Sequence, residues 1–269
     1  MRMKDAIMKR RSVRAYSGAQ LTADEKQKIN DYLAKKENLV GLLGNAIKME
    51  LVESSNTTTG KIGTYGKITD APAFLVTKLY NTKDELLDLG YVFENLVLFV
   101  ESIGLHTCWL GGTFDRAALS ATIELEEGEL IPIISPVGKA KDSVALQEQV
   151  AAHTGTRKDF DTLFFSGDFN TPISSVEKRE QLEYVRLAPS GVNLQPWRLV
   201  LDAAGTMHFY IVRNPEVESY GLPYDIQWVD MGIALSHYVI ASGKKRAFVA
   251  QPDIALPSSI SEYVISVKG

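Results

Sequence analysis

Three arginines near the amino terminus, Arg10, Arg11 and Arg14, stand around Ser12. Guanidinium groups give paired, charge-assisted hydrogen bonds to phosphate oxygens, and a serine adds a hydroxyl or backbone donor. Residues 1–16 hold six basic residues and one acid, a local charge of +5 in a chain of net charge −4. The same cations would equally suit a solvated helix end. Far downstream, Pro189-Ser190-Gly191-Val192-Asn193-Leu194-Gln195-Pro196-Trp197 sets two prolines around Gly191 and Asn193, residues that tolerate unusual backbone angles. Such a loop is stiff at its ends and can turn backbone N–H groups toward a ligand; its plainer reading is a helix cap and a strand entry with Trp197 in the core. Gly111-Gly112 could let a flat ligand approach the backbone and accept its N–H groups, or form a simple bulge. Arg157, beside Lys158, is either half of a solvated pair or a further phosphate contact, and Cys108 and Trp109 read as packing residues.

The composition narrows the chemistry. A chain of 269 residues with 45% hydrophobic and 23% charged residues is globular and large enough for one big core or two ordinary ones. The net charge of −4 and the lack of interleaved aromatics at the basic patch argue against a nucleic-acid partner, leaving an anionic-ligand module as a weak reading of the amino terminus. One cysteine excludes an intramolecular disulfide and fits a reducing compartment, so a cytoplasmic location is expected. Four scattered histidines show no metal spacing, and no metal is expected. No signal-peptide core and no membrane-length apolar run are visible.

The elements that must position these residues follow from pattern. Residues 3–11 read as a short helix with Ile7 and Met8 inward, followed by an extended piece and a turn at Ser17-Gly18. Thr22 with Glu25 three residues on is a capping box that opens a helix to about residue 36, Ile29 and Leu33 lying on one face. A further helix is expected over 39–50, then a polar loop over 53–60. Strands are expected at 73–79, 107–110 and 130–137, with a connector over 138–160. Residues 84–103 form a helix apolar nearly all round and therefore buried, ended by Gly104.

The chain then begins again. Phe165-Ser166-Gly167 echoes Tyr16-Ser17-Gly18 at an offset of 149. An amphipathic stretch over 176–187 runs into the proline-bracketed loop, with strands expected at 197–201, 208–212 and 263–267. Asp230-Met231-Gly232, inside a second apolar helix ended by Gly243, echoes Asp88-Leu89-Gly90 at an offset of 142. This is the pattern of an internal duplication of a mixed helix–strand unit. At an offset of 149 the arginine cluster falls on Asp159, Phe160, Asp161 and Leu163, and the loop falls on Val40, Gly41, Gly44, Ile47 and Lys48. Each half therefore keeps the segment the other lacks, as expected of a two-site dimer after fusion and decay of one site.

Arg10-Arg11-Ser12-Val13-Arg14-Ala15-Tyr16 resembles the opening motif of the FMN-dependent nitroreductase family. Residues 188–197 are similar to its second motif, and Gly104-Leu105 through Cys108-Trp109-Leu110-Gly111-Gly112 to its third. The first two motifs lie far closer together in ordinary members, so the chain looks like the branch in which two domains are fused into a single-chain pseudo-dimer. The resemblance implies an α+β fold, a nitroreductase-like sandwich of two similar halves, 1–160 and 161–269, with one FMN at their boundary. It implies that Arg10, Arg11, Ser12 and Arg14 hold the FMN phosphate, that Pro189, Ser190, Gly191 and Asn193 line the flavin ring, and that Gly111 and Gly112 place backbone donors near flavin O4 and N5. Arg157 resembles a basic residue late in family domains that also reaches the phosphate, which competes with placing Asp159 opposite Arg10. The implied activity is ping-pong oxidation of NAD(P)H with reduction of a nitroaromatic, quinone or similar small acceptor by a monomer. The flavin carries the chemistry, and no catalytic side chain is expected. A flavin-binding or sensory pseudo-enzyme with little turnover is the alternative.

Overall fold

The computed structural model describes residues 1–54, 62–143, 146, 156–250 and 252–268. Residues 55–60 of the expected polar loop and most of the connector over 144–155 lie outside the described residues. Six α-helices and nine strands occur among the described residues. The first sheet holds β1 (Lys48–Glu53), β2 (Ala73–Lys78), β3 (His106–Thr107) and β4 (Ile134–Gly138), all antiparallel in the order β1-β2-β4-β3. The second holds β5 (Phe164–Ser166), β6 (Trp197–Leu201), β7 (Met207–Ile211), β8 (Arg246–Phe248) and β9 (Glu262–Lys268) in the order β5-β6-β7-β9-β8, with only β5 and β6 parallel. The helices are α1 (Met3–Lys9), α2 (Ala23–Leu33), α3 (Lys83–Ser102), α4 (Arg116–Ser120), α5 (Val176–Arg186) and α6 (Ile226–Ser242).

Local chemistry sets the helix ends. Thr22 and Glu25 form the reciprocal capping box of α2. Thr82 caps α3 by accepting from Glu85 N, and Asp225 caps α6 by accepting from Gln227 N. Gly104 (φ +84°) and Gly243 (φ +73°) take the left-handed conformation that stops α3 and α6. Both helices are apolar on nearly every face because one continuous core surrounds them. Leu75 and Val137 of the first sheet, Phe93 and Leu96 of α3, Met231 and Leu235 of α6, and Leu199 and Phe209 of the second sheet all belong to it.

Helices α3 and α6 meet backbone to backbone. A Cβ on Gly90 would lie 2.1 Å from Val229 O, and one on Gly232 would lie 2.0 Å from Leu87 O. Only glycine permits that approach. The two sets of contacts are the same positions 142 residues apart, seen from either side, which is the reciprocal pattern of a two-fold contact. The aspartates preceding these glycines also behave alike. Asp88 accepts from Leu43 N (3.1 Å), Asn45 N (3.1 Å) and Asn45 Nδ2 (2.9 Å). Asp230 accepts from Gly191 N (2.9 Å). Each carboxylate thus anchors a turn that follows a helix, Asp88 the one after α2 and Asp230 the one after α5. Gly18 and Gly167 share a φ of +77°.

Several expectations are corrected. The helix expected over 39–50 is instead a turn followed by strand β1. Gly41, Gly44 (φ +94°) and Asn45 break helical continuity, Asp88 binds the turn, and residues 48–53 pair along β2. Met8 is exposed rather than inward, since α1 turns only Ala6 and Ile7 into a small cluster with Leu98 and Leu187. The expected strand over 107–110 is confined to His106–Thr107, with Leu110 joining Ile134 by a single bridge. The strand expected from residue 130 begins at Ile134, Leu130 making only a bridge to Leu79. Strand β8 was not expected; pairing with β9 on a sheet edge makes it, not its own pattern. Among the described residues no helix is long and apolar enough to cross a membrane.

Candidate active site

Helix α1 carries the arginine cluster at its end and packs Ala6 and Ile7 against Leu98 of α3 and Leu187. Its last turn closes with Arg10 N donating to Ala6 O (2.8 Å), after which the chain extends and Val13 N bonds Thr107 O (3.0 Å). Arg10 is 2% exposed. Its Nε lies 3.8 Å from Glu94 Oε1, while its Nη1 is buried with no hydrogen-bond partner. A buried guanidinium nitrogen left unpaired is costly unless a ligand takes it up.

Glu94 is itself wholly buried on α3 and serves three groups. It accepts from Trp109 Nε1 (2.9 Å), faces His237 Nε2 of α6 (2.9 Å) and pairs with Arg10. His237 Nδ1 lies 2.7 Å from Tyr184 O, a carbonyl that can only accept, so Nδ1 carries a proton. One carboxylate therefore ties the arginine cluster, Trp109 and helix α6 together.

The other members of the cluster have different surroundings. Arg11 Nη1 donates to Met8 O (3.1 Å) and Arg10 O (2.6 Å), capping the carbonyl end of α1. Burial, and then the charge of Arg10, push the Arg11 guanidinium below its ordinary range. Ser12 hydrogen-bonds the Cys108 thiol, whose pKa burial raises against the opposing pull of Arg14, Arg10 and Ser12. Arg14 is exposed.

Arg157, shortly before β5, reaches the same place. Its Nη1 donates to Asn193 Oδ1 (2.7 Å) and its Nη2 to Leu187 O (3.1 Å). Its pKa is pushed down by burial first, then by the charges of Arg10, Arg11 and Arg186, with Glu94 opposing. Arg157 and Arg11 thus both feel the charge of Arg10, with Glu94 and Glu101 set against them, a crowding of cations that suits an anion.

The loop 189–197 meets Arg157 and differs from expectation in two respects. The left-handed residues are Val192 (φ +42°), Asn193 (φ +61°) and Gln195 (φ +48°), not Gly191. A β-branched residue held there stores strain, as at many ligand-binding loops. Four of the loop's backbone donors are also used within the fold. Gly191 N binds Asp230 Oδ1 (2.9 Å), Asn193 N binds Ser190 O (3.0 Å), Leu194 N binds Gly191 O (3.0 Å) and Gln195 N binds Ser190 Oγ (2.9 Å). Pro196 leads into β6, and Trp197 is fully buried. Asp230 has lost most of the solvation that would favour its charge: it is 2% exposed, and Oδ2 has no partner. Burial raises its pKa to about 8, against the Gly191 hydrogen bond that lowers it and with the Asp225 charge that raises it.

Gly111 and Gly112 lie beside this loop across the boundary. A Cβ on Gly111 would be 2.6 Å from Ile226 Cδ1 and 2.8 Å from Tyr224 OH, and one on Gly191 would be 3.5 Å from the same Ile226 atom. Ile226 thus stands between the two glycine segments. A Cβ on Gly112 would lie 3.1 Å from Leu222 Cδ2. The Gly111 carbonyl accepts from Arg116 Nη2 (2.6 Å) and Tyr224 OH (3.0 Å).

The fold therefore gathers Arg10, Arg11 and Arg157 at one end, Ser190, Gly191 and Asn193 beside them, and Gly111 against the same Ile226 as Gly191, with Gly112 beside Leu222. Ser12 and Arg14 sit one strand step farther along. Sequence reasoning missed Glu94, His237, Arg116, Tyr224 and Ile226. Only Asp230 carried a signal, through its echo of Asp88.

Residues 2–242 match the sequence family described as "Putative TM nitroreductase". No curated protein matches the chain. Among solved structures, a Thermotoga maritima protein described in the same terms is 20% identical, with 99% of this chain and 93% of that chain covered and a TM-score of 0.63. A nitroreductase family protein from Clostridium difficile 630 is 16% identical, covering 59% of this chain and 94% of its own, with a TM-score of 0.46. An FMN-dependent nitroreductase from Clostridium difficile R20291 is 15% identical over 51% of this chain and 87% of its own, with a TM-score of 0.38.

Proposed function

The chain belongs to the nitroreductase family, and from that premise we propose that it is an FMN-dependent oxidoreductase that spends NAD(P)H on a nitroaromatic, quinone or related small acceptor. The reading takes it as two similar halves, 1–160 and 161–269, forming an internal pseudo-dimer that works as a monomer with one FMN. The reciprocal contact of Gly90 and Gly232 supports the duplication. The observation that carries the cofactor assignment is the buried, unpartnered Nη1 of Arg10 among the charges of Arg11 and Arg157.

The residues present fit FMN at both ends. Arg10 and Arg157, with Arg11 adding charge and Ser12 and Arg14 alongside, would hold the phosphate, whose two negative charges relieve the repulsion among the guanidiniums. Gly111, Gly112 and Gly191 carry no side chain and would present bare backbone to the ring. When bound, FMN supplies the two-electron chemistry, accepting hydride from the nicotinamide and passing electrons to the acceptor. The protein's part is orientation and electrostatics. Asn193 holds Arg157 toward the phosphate end, Asp230 fixes the backbone of Gly191, and Pro189 and Pro196 stiffen the loop around Ser190.

The test is a flavin titration of the purified protein, followed by anaerobic mixing with NADH and with NADPH. The expected result is one FMN per chain, bleached by one or both nicotinamides. Arg10→Ala together with Arg14→Ala should weaken FMN by at least roughly 1.5–3 kcal/mol, the range for a hydrogen bond to a charged group. A protein that takes up no FMN rejects the reading. Two FMN per chain rejects the single site, and FMN that neither nicotinamide bleaches leaves the pseudo-enzyme reading in its place.

A further inference from the structure

The Gly111 carbonyl is the acceptor of two unusual donors. Arg116 Nη2 reaches it at 2.6 Å from α4 in the first half, and Tyr224 OH at 3.0 Å from the residues just before α6 in the second. Arg116 is itself held down: its Nε donates to Ile131 O (2.7 Å) and its Nη2 also lies 3.2 Å from Pro132 O. Its guanidinium carbon sits 4.7 Å from the Phe114 ring centre and 5.6 Å from that of Tyr224, so the aromatic rings fix its plane as well. No acidic side chain is among these contacts, so its positive charge is directed onto backbone carbonyls.

A trans peptide is planar, with its C=O and N–H pointing in opposite directions. Fixing the Gly111 carbonyl against Arg116 and Tyr224 therefore fixes the Gly112 N–H on the other side of the same peptide plane. Gly112 is exposed. A carbonyl hydrogen-bonded to a cation also polarises its own amide, which makes that N–H a stronger donor.

We infer that Arg116 and Tyr224 are positioning residues, a clamp from both halves that orients and polarises the Gly111–Gly112 peptide as the ring-side donor of the site. The inference rests on the FMN reading above. Its consequence is electrostatic: a fixed donor backed by a cation favours the ring when it carries the extra negative charge of the reduced state.

The test measures the midpoint potential of bound FMN in the whole protein, alongside the affinity for oxidised FMN. Arg116→Met removes both charge and clamp, and Tyr224→Phe removes one hydrogen bond. Both should shift the potential to more negative values, Arg116→Met more than Tyr224→Phe. For Arg116→Met the preference for reduced over oxidised FMN should fall by about tenfold, equivalent to about 30 mV for a two-electron couple. If Arg116→Met yields no folded protein, the sign of the Tyr224→Phe shift decides. Variants that bind FMN yet keep the wild-type potential overturn the inference, including where they bind both redox states equally more weakly, which would mark a merely structural clamp. A wild-type protein that binds no FMN rejects the FMN reading itself.

Discussion

Replacing Asp230 with Asn should stabilise the protein by an amount that grows from pH 5 to about 8 and then levels off. Asp230 is buried, has one backbone donor in Gly191 N, and has an Oδ2 with no partner. Burial is the largest influence and raises its pKa from 3.8 to about 8. The folded state then holds a proton that the unfolded chain has already released over the whole interval between those values. Stability from this group is complete below about pH 4 and is lost as pH rises through 8. The slope is at most about 1.4 kcal/mol per pH unit for one proton. Asn matches the shape of the protonated acid, keeps an oxygen for Gly191 N and does not titrate. From pH 5 to pH 8 the variant should therefore gain roughly 3–4 kcal/mol relative to the wild type. Urea unfolding of the ligand-free protein at pH 5, 6, 7 and 8, read as midpoint and slope, measures this directly. Parallel stability curves for the two proteins would refute the reasoning. Asp88→Asn is the contrasting case: three donors face that carboxylate, so the new NH₂ group meets donors and the variant should lose stability throughout.

The other predictions concern the crossing of α3 and α6 and the loop. Gly232→Ala puts a methyl group 2.0 Å from Leu87 O, backbone that cannot step aside, and should cost about 3 kcal/mol or more in urea unfolding; a loss below 1 kcal/mol would mean the helices are not so close. His237→Phe strips the buried Glu94 of a partner and should cost about 3–5 kcal/mol, with part recovered when Glu94→Gln is added; additive losses in that double-mutant cycle would argue against the pair. Val192→Asn should raise thermal stability by about 1 kcal/mol, because the exposed valine is held at φ +42°, where asparagine fits better; an unchanged melting temperature would indicate that the valine carries no strain.

The sequence alone was enough for features governed by neighbours within a turn or two. Thr22 with Glu25, Gly104 and Gly243 mark helix ends through hydrogen bonds and backbone freedom that are local. The two apolar helices were legible because burial on all faces leaves no polar stripe. The spacing of Asp88 and Gly90 from Asp230 and Gly232 was visible as an echo, and it is at those glycines that α3 and α6 meet. Tertiary structure decided the rest, because those choices depend on partners more than a hundred residues away or on the opposite sheet. Residues 48–53 became a strand because β2 offered an edge, although the leucines before them suggested a helix. Asp230 took the Gly191 N–H and Ser190 took that of Gln195, so donors that sequence reasoning left open to a ligand are spent within the fold. Glu94 meets His237, and Arg116 and Tyr224 meet at Gly111, only because α3 and α6 cross at two glycines. Residue type and spacing supplied the pieces of the site; long-range packing fixed which nitrogen of Arg10 was left without a partner.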